Sequence, residues 1–293
     1  MHPIRRILAA SDLSPAARNA VVRATALARH GGARLTLQHV VGSGALEHLR
    51  QLFASAPADL QARLLDEARS ELQDLAAELC TAHLAATDLR LSSGKVAEEI
   101  VAGADALDAD LLVLGAHGAS LVRDLMIGST TERVLRLCRR PLLVVRRGVS
   151  HGYRRILLPV DFSPRSLHAV RLARALAPQA ELVLLHAFDV PFAGLLRHAG
   201  ASEEELANLL ASAARSAGEQ MAELLAAVGL QADSVQRIVV PGEAAVHILE
   251  QERLQDCELI VIGKRGHGLL EELLLGSVTR HVLTQAQGDV LVT

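Results

Sequence analysis

Apolar residues along this chain fall into two alternating patterns. Short continuous runs, such as RILAAS, LTLQHV, DLLVLG and PLLVVR, read as strands buried on both faces. Between them lie longer stretches whose apolar positions recur at three- and four-residue spacing, which read as helices packed by one face. Ser14-Pro15 and Ser163-Pro164 mark helix starts. The serine hydroxyl accepts from an unpaired backbone N–H, and proline at the next position loses nothing by lacking its own. The first of these helices is expected to stop near Gly31-Gly32 and its counterpart near Pro178. Further helices are expected near 59–83 and 202–228, from Lys95 and Glu243 onward, and near 129–138 and 277–286. LRLSS and VQRIVV supply third strands, and PLLVVR and DVLVT the last ones. Strands alternating with helices imply a parallel sheet with helices on both faces. In such sheets ligands sit beyond the carboxyl ends of the strands, where strand order reverses.

The pattern occurs twice. IRRILAASDLSPAARNAV at 4–21 returns as YRRILLPVDFSPRSLHAV at 153–170, so that Asp12 and Asp161 stand 149 apart. LTLQHVV returns as LVLLHAF, pairing His39 with His186 at a spacing of 147. VLGAHG returns as VIGKRG, and LMIGSTTERVL as LLLGSVTRHVL, both at a spacing of 148. A period this long means two copies of one domain, since solenoid repeats run roughly 20–50 residues. The expected organisation is two tandem Rossmann-like α/β domains, 1–147 and 153–293, each an open five-stranded parallel sheet, joined by a short polar, glycine-bearing linker.

Composition narrows the partners. Net charge is −3 with the His neutral, which argues against a generally basic nucleic-acid binder. There is no Trp, one Tyr and four Phe, too few for a platform on which bases stack. No apolar run approaches the roughly 18 residues a membrane span needs. Three Cys, at 80, 138 and 257, have no paired spacing, which suits a reducing cytoplasm.

Three features fall at strand carboxyl ends. Asp12 and Asp161 end the first strands, and the residue after His39 or His186 ends the second. The third is the loop after the fourth strand, with Gly115-x-x-Gly118 and then Gly128-Ser129 in one copy, and Gly263-x-x-Gly266 and then Gly276-Ser277 in the other. Glycines admit close approach of a ligand to the backbone. Gly128-Ser129 and Gly276-Ser277 open helices, where first-turn N–H groups and the helix dipole favour an anion. A phosphate chain fits there, and an Asp across the cleft suits a ribose hydroxyl, which donates to a carboxylate. Each feature also has a structural reading. The two Asp residues could merely cap helices, and the glycines could be plain turn residues. His39 and His186 read as packing residues, and His117 as a solvated loop side chain.

The spacing G-x2-G-x9-G-S, the strand-end Asp followed by LSP or FSP, and the second-strand HV resemble those of the universal stress proteins, over essentially the whole chain and twice. The resemblance to the family's ATP-binding branch implies site residues. Asp12 and Asp161 would contact ribose or adenine, and Val40 and Ala187 would offer backbone groups to adenine. Gly115, Gly118, Gly128 and Ser129 would hold ribose and phosphates in one copy, as would Gly263, Gly266, Gly276 and Ser277 in the other. It also implies ATP, AMP or another adenine nucleotide as ligand, with magnesium accompanying the phosphates. The copies depart from the pattern differently. The family's Pro two residues before the Asp is kept as Pro159 but is Ala10 in the first copy. The Pro opening the last strand is kept as Pro141 but is Asp289 in the second. Glu271-Glu272 would repel phosphate, offset in part by Lys264 and Arg265, so unequal affinity of the two copies is expected.

The expected function is therefore that of a cytoplasmic, adenine-nucleotide-binding stress-response sensor or scaffold, with unidentified protein partners and without fast catalysis. No Walker loop, no G-x-S-x-G elbow and no HExxH or Cys/His metal spacing is present. No base is placed to activate water, so no catalytic or metal-ligating residue is assigned. Two other readings stay open. One is a slow ATPase or phosphotransferase using the same cleft. The other is a nucleotide-independent interaction module with a hydrophobic ligand, suggested by the apolar stretch VPFAGLL at 190–196. Exposed apolar edge strands tend to be covered. The last strands of the two copies are therefore expected to meet within one chain as a pseudo-dimer, and homodimerisation of whole chains is left open.

Overall fold

The computed structural model describes residues 4–44, 60–80, 87–117, 127–147, 151–188, 202–264 and 275–293. The chain divides into two compact units, one built on residues 1–152 together with 289–292, the other on 153–271 and 276–288. The first repeat supplies β1 (Arg6–Ala10), α1 (Pro15–Gly31), β2 (Arg34–Gly42), α2 (Leu60–Cys80), β3 (Thr87–Gly94), α3 (Val96–Ala106), β4 (Leu111–Gly115), α4 (Ser129–Leu137) and β5 (Leu142–Val145). The second supplies β6 (Arg155–Pro159), α5 (Pro164–Leu176), β7 (Glu181–Phe188), α6 (Glu203–Ala227), β8 (Gln236–Pro241), α7 (Ala244–Leu254), β9 (Leu259–Ile262), α8 (Ser277–Gln285) and β10 (Asp289–Val292). No helix among the described residues is long and apolar enough to cross a membrane.

The helix ends follow the local chemistry. Ser14 caps α1 by accepting from Ala17 N–H at 3.2 Å, with Pro15 in the first turn. Gly32 ends α1 at φ 66°, a left-handed conformation that costs glycine little, and its N–H reaches Ala28 O. Ser163 caps α5 in the same way. Ser202 and Glu205 form a reciprocal capping box on α6, and the backbone and hydroxyl of Ser202, hydrogen-bonded to it, hold the Glu205 carboxyl below the ordinary glutamate range.

In the first unit the strand order is β3-β2-β1-β4-β5, all parallel. β1 therefore has β2 on one side and β4 on the other, and order reverses between β1 and β4. In the second unit β6 is flanked in the same way by β7 and β9, with β8 beyond β7. β4, β5 and β9 are buried at nearly every position, so both sheet faces are covered. Leu8, Leu37, Leu111, Leu112 and Leu143 anchor the first core, and Ile156, Leu157, Leu158, Met221 and Leu259 the second. Each such side chain contributes roughly 1.5–3 kcal/mol when fully buried.

The last strand departs from the all-parallel pattern. β10 clusters with the first unit and runs antiparallel to β5, with Val290 opposite Val144 and Val292 opposite Leu142. Asp289 opens it. Its carboxylate accepts from Arg23 Nε at 3.0 Å and from the N–H of Arg146 at 2.8 Å, while Arg23 Nη1 donates to His151 O at 2.8 Å. Arg23 and Asp289 are 2% and 1% exposed, so this is a fully desolvated ion pair standing where the first repeat has Pro141.

A second acid performs the same task in both repeats. The Asp110 carboxylate accepts from the N–H of Arg5 and Arg6, and the Glu258 carboxylate from the N–H of Arg154, so each holds the start of the first strand of its own repeat.

Candidate functional site

The first strands deliver their acids beyond the sheet through an unusual backbone turn. Leu13 and Phe162, each directly after the Asp, adopt φ 64° and 61°. A non-glycine residue held there stores of order 1 kcal/mol or more of strain and persists only where its surroundings enforce it. The turn is fixed by the Asp itself. Asp12 Oδ1 accepts from Ser14 N–H at 3.1 Å. Asp161 Oδ1 accepts from Ser163 N–H at 3.1 Å and from the hydroxyls of Ser163 and Ser166, both at 2.6 Å. The helix caps are Ser14 and Ser163, so the two Asp residues fix the turn before each helix and do not cap it, and both carboxylates line a cavity.

His39 and His186 brace the second strand against the first. Their Nδ1 atoms lie 2.8 Å from Ser11 O and Val160 O. A carbonyl only accepts, so Nδ1 carries the proton in both. The packing role expected from sequence holds, although the His186 ring also lines a cavity, tilted against Phe162 with centroids 4.4 Å apart.

The loop after the fourth strand is closed at its base identically in the two repeats. Gly128 N–H donates to Ala116 O at 2.8 Å, and Gly276 N–H to Lys264 O at 3.0 Å. Thr131 Oγ1 and Thr279 Oγ1, in the first turns of α4 and α8, donate to Gly115 O and Gly263 O at 2.9 and 2.8 Å. These bonds point the N-terminus of each helix at the end of the fourth strand. Neither helix has a side-chain cap, and first-turn N–H groups have no partner within their own helix.

A cavity results at each switch point. That of the first unit is about 360 Å³ and is lined by Asp12, Val40, Gly115, Gly128 and Ser129, together with Gln38, Val96, Ile100, His117 and Thr131. That of the second is about 310 Å³ and is lined by Asp161, Ala187, Gly263, Gly276 and Ser277, together with Arg165, Ser166, Ala244, Ile248 and Thr279. Gly118 and Gly266, also expected at the site, lie outside the described residues, as do Arg265, Glu271 and Glu272 and the stretch 190–196.

His117 is not the solvated loop side chain expected of it. It is half-buried, lines the first cavity, and its Nε2 is buried without a hydrogen-bond partner among the described residues. Hydrogen bonds on both sides of Ala116, to Val145 O and from Gly128 N–H, fix the backbone from which it projects.

Sequence reasoning also missed the apolar wall. Val96 and Ile100 on α3, and Ala244 and Ile248 on α7, face the two cavities. The signal was available, because each pair is four apart at the start of a helix and the pairs recur 148 positions apart. Deeper in the first unit Gln38 is fully buried, its Nε2 donating to Ser92 Oγ at 3.2 Å and Glu99 O at 3.0 Å, where the second repeat has Leu185.

Fold and clefts together define a tandem parallel α/β protein with a ligand-sized cavity at each switch point. Each cavity sets one carboxylate opposite a glycine-opened helix N-terminus. Among the described residues no grouping of His, Cys, Asp and Glu is able to hold a metal by itself.

The chain belongs to the universal stress protein family, whose model matches residues 3–146 and again residues 152–293. Universal stress protein MJ0577 of Methanocaldococcus jannaschii is 31% identical over 155 residues, covering 48% of this chain and 94% of that protein. Universal stress protein A homolog 1 of Coxiella burnetii is 29% identical over 142 residues, covering 48% of this chain and 95% of its own length. Each of these relatives thus corresponds to about one repeat. Among solved structures, a universal stress protein from Archaeoglobus fulgidus matches across both repeats, with a TM-score of 0.68, 18% identity and coverage of 98% of this chain and 97% of that one. At that identity the likeness establishes the fold.

Proposed function

We propose that this protein binds an adenine nucleotide in each of its two cavities and acts as a stress-response sensor or scaffold without fast catalysis. One observation carries the reading. In each unit the strand-end carboxylate, the end of the second strand and the uncapped first turn of a helix line a single cavity. Volumes of about 360 and 310 Å³ suit a ligand of nucleoside size, since small-molecule sites begin near roughly 300 Å³. Asp12 or Asp161 would accept from a ribose hydroxyl, the backbone at Val40 or Ala187 would meet the base, and Gly128-Ser129 or Gly276-Ser277 would present N–H groups and a hydroxyl to phosphate. Val96 and Ile100, or Ala244 and Ile248, would give a base its apolar wall.

The residues present suit magnesium only in company with the phosphates. One Asp lines each cavity among the described residues, and magnesium characteristically takes one or two carboxylates plus phosphate oxygens and water. When bound, the ion would supply charge neutralisation to the phosphate chain. Turnover is expected to be slow, because the one strand-end acid of each cavity has its Oδ1 engaged by its own turn. A cytoplasmic setting accords with buried thiols at Cys138 and Cys257 that are not joined in a disulfide.

The test is to incubate the whole purified chain with a slight excess of ATP and magnesium, release the bound material and identify it by mass spectrometry. Intact ATP retained over many minutes is expected. Release of an apolar molecule instead, or rapid accumulation of ADP in solution, would overturn the reading.

A further inference from the structure

The two cavities differ most in charge. Arg165, the second residue of α5, lines the cavity of the second unit. Its guanidinium makes no ion pair or hydrogen bond among the described residues, whereas Arg154 and Arg155, eleven and ten residues upstream, are held by Glu258 and Glu181. The first repeat has Ala16 at the matching position, and no Lys or Arg stands among the described residues lining its cavity.

Two further differences act in the same direction. In the second cavity one oxygen of Asp161, Oδ1, is engaged by the Ser166 hydroxyl, whose counterpart in the first is Ala17. The first turn of α4 carries Glu132, where α8 carries Arg280. An acid in the first turn competes for the field that a bound anion would use.

We infer that the second cavity is the one that discriminates by ligand charge, that Arg165 is the specificity-determining residue, and that it selects the polyphosphate form of a nucleotide. The first cavity, with no Lys or Arg among its described lining residues, is the less selective of the two for phosphate number. This rests on the nucleotide reading above and deepens it. A guanidinium is permanently charged and suits phosphate oxygens. A charge-assisted hydrogen bond from it changes affinity by about ten- to a hundredfold. Arg165 is exposed, so the lower end applies and the effect shrinks as salt rises.

The experiment is calorimetric titration of the whole chain with ATP and with adenosine, at low and high ionic strength. The proteins are wild type, Arg165→Ala, Arg165→Lys and Ala16→Arg, with thermal unfolding as a folding control. In the wild type, ATP is expected to bind in a tighter, salt-sensitive class and a weaker one, and adenosine in two similar classes. Arg165→Ala should weaken the tight ATP class about tenfold at low salt and leave adenosine within about twofold. Arg165→Lys should recover part of the loss, and Ala16→Arg should tighten the weaker ATP class. Equal weakening of ATP and adenosine in Arg165→Ala would assign the residue a steric role and overturn the inference. So would an unchanged ATP class. Failure of wild type to bind either ligand would remove the nucleotide reading and this inference together, an outcome distinct from the other two because adenosine binding is then absent as well.

Discussion

The buried ion pair at the head of β10 allows a sharp stability prediction. Asp289 is 1% exposed and receives Arg23 Nε at 3.0 Å, Arg146 N–H at 2.8 Å and Arg147 N–H at 3.3 Å. Asp289→Ala removes these three acceptor contacts and leaves the Arg23 guanidinium in the interior with His151 O as a remaining acceptor. Removing one member of a buried pair typically costs about 3–5 kcal/mol, because the other charge stays desolvated. Loss of the acceptor for two backbone N–H groups places this variant at the upper end of that range. Asp289→Asn keeps an oxygen for the N–H groups but not the charge, so it should fall at the lower end. Combining Arg23→Met with Asp289→Asn removes both charges while filling the volume, and should return to within about 1–2 kcal/mol of wild type. Because the chain holds two units, urea unfolding by circular dichroism should be joined to hydrogen exchange of the amides in β5 and β10, which reports opening of these strands directly. The reasoning fails if Asp289→Ala changes the opening free energy by less than about 1 kcal/mol, or if the double variant is as unstable as the single one.

Two other predictions rest on the core. Burial pushes the Cys257 thiol up to about 12 from 9.0, with the Arg155 cation opposing and the nearby Glu252, Asp256 and Glu258 carboxylates adding to the rise. The unfolded chain therefore releases this proton first as pH rises, so stability is undiminished below pH 9 and falls between 9 and 12. From pH 8 to pH 10 the loss should be about 1.4 kcal/mol, measured as the difference in urea stability between wild type and Cys257→Ala; parallel pH profiles for the two proteins would contradict it. A Cβ added at Gly103 would lie 2.3 Å from Gln38 Oε1, so Gly103→Ala should displace the buried amide from Ser92 and Glu99 and destabilise the first unit by about 1–3 kcal/mol. Shortening the neighbour as well, in Gly103→Ala with Gln38→Ala, should recover part of this, and no recovery would point to backbone strain in α3.

Much of this architecture could be read from the chain. The strand runs and capped helices were legible because burial on both faces and one-sided amphipathicity leave different periods, and because each signal occurred twice. The glycine and Asp positions at strand ends were legible because their chemistry depends on local backbone. Other features depend on tertiary approach. The αL turn at Leu13 and Phe162 has no composition signal, since neither Leu nor Phe favours that region. Thr131 and Thr279 carry no sign in the sequence that their hydroxyls donate to Gly115 O and Gly263 O. Arg165 sits at an exposed position of a helix face and gains meaning only from the cavity beside it. The meeting of β10 with β5 was legible from two apolar edge strands that tend to be covered, and a pseudo-twofold pairing of such edges is antiparallel.

The central claim is most directly tested by a crystal structure of the whole chain grown in millimolar ATP and magnesium. The account predicts a nucleotide in each cavity, its sugar hydroxyls at Asp12 and Asp161 and its phosphates at the first turns of α4 and α8. Cavities that stay filled by protein side chains, or a nucleotide bound elsewhere on the surface, would contradict it.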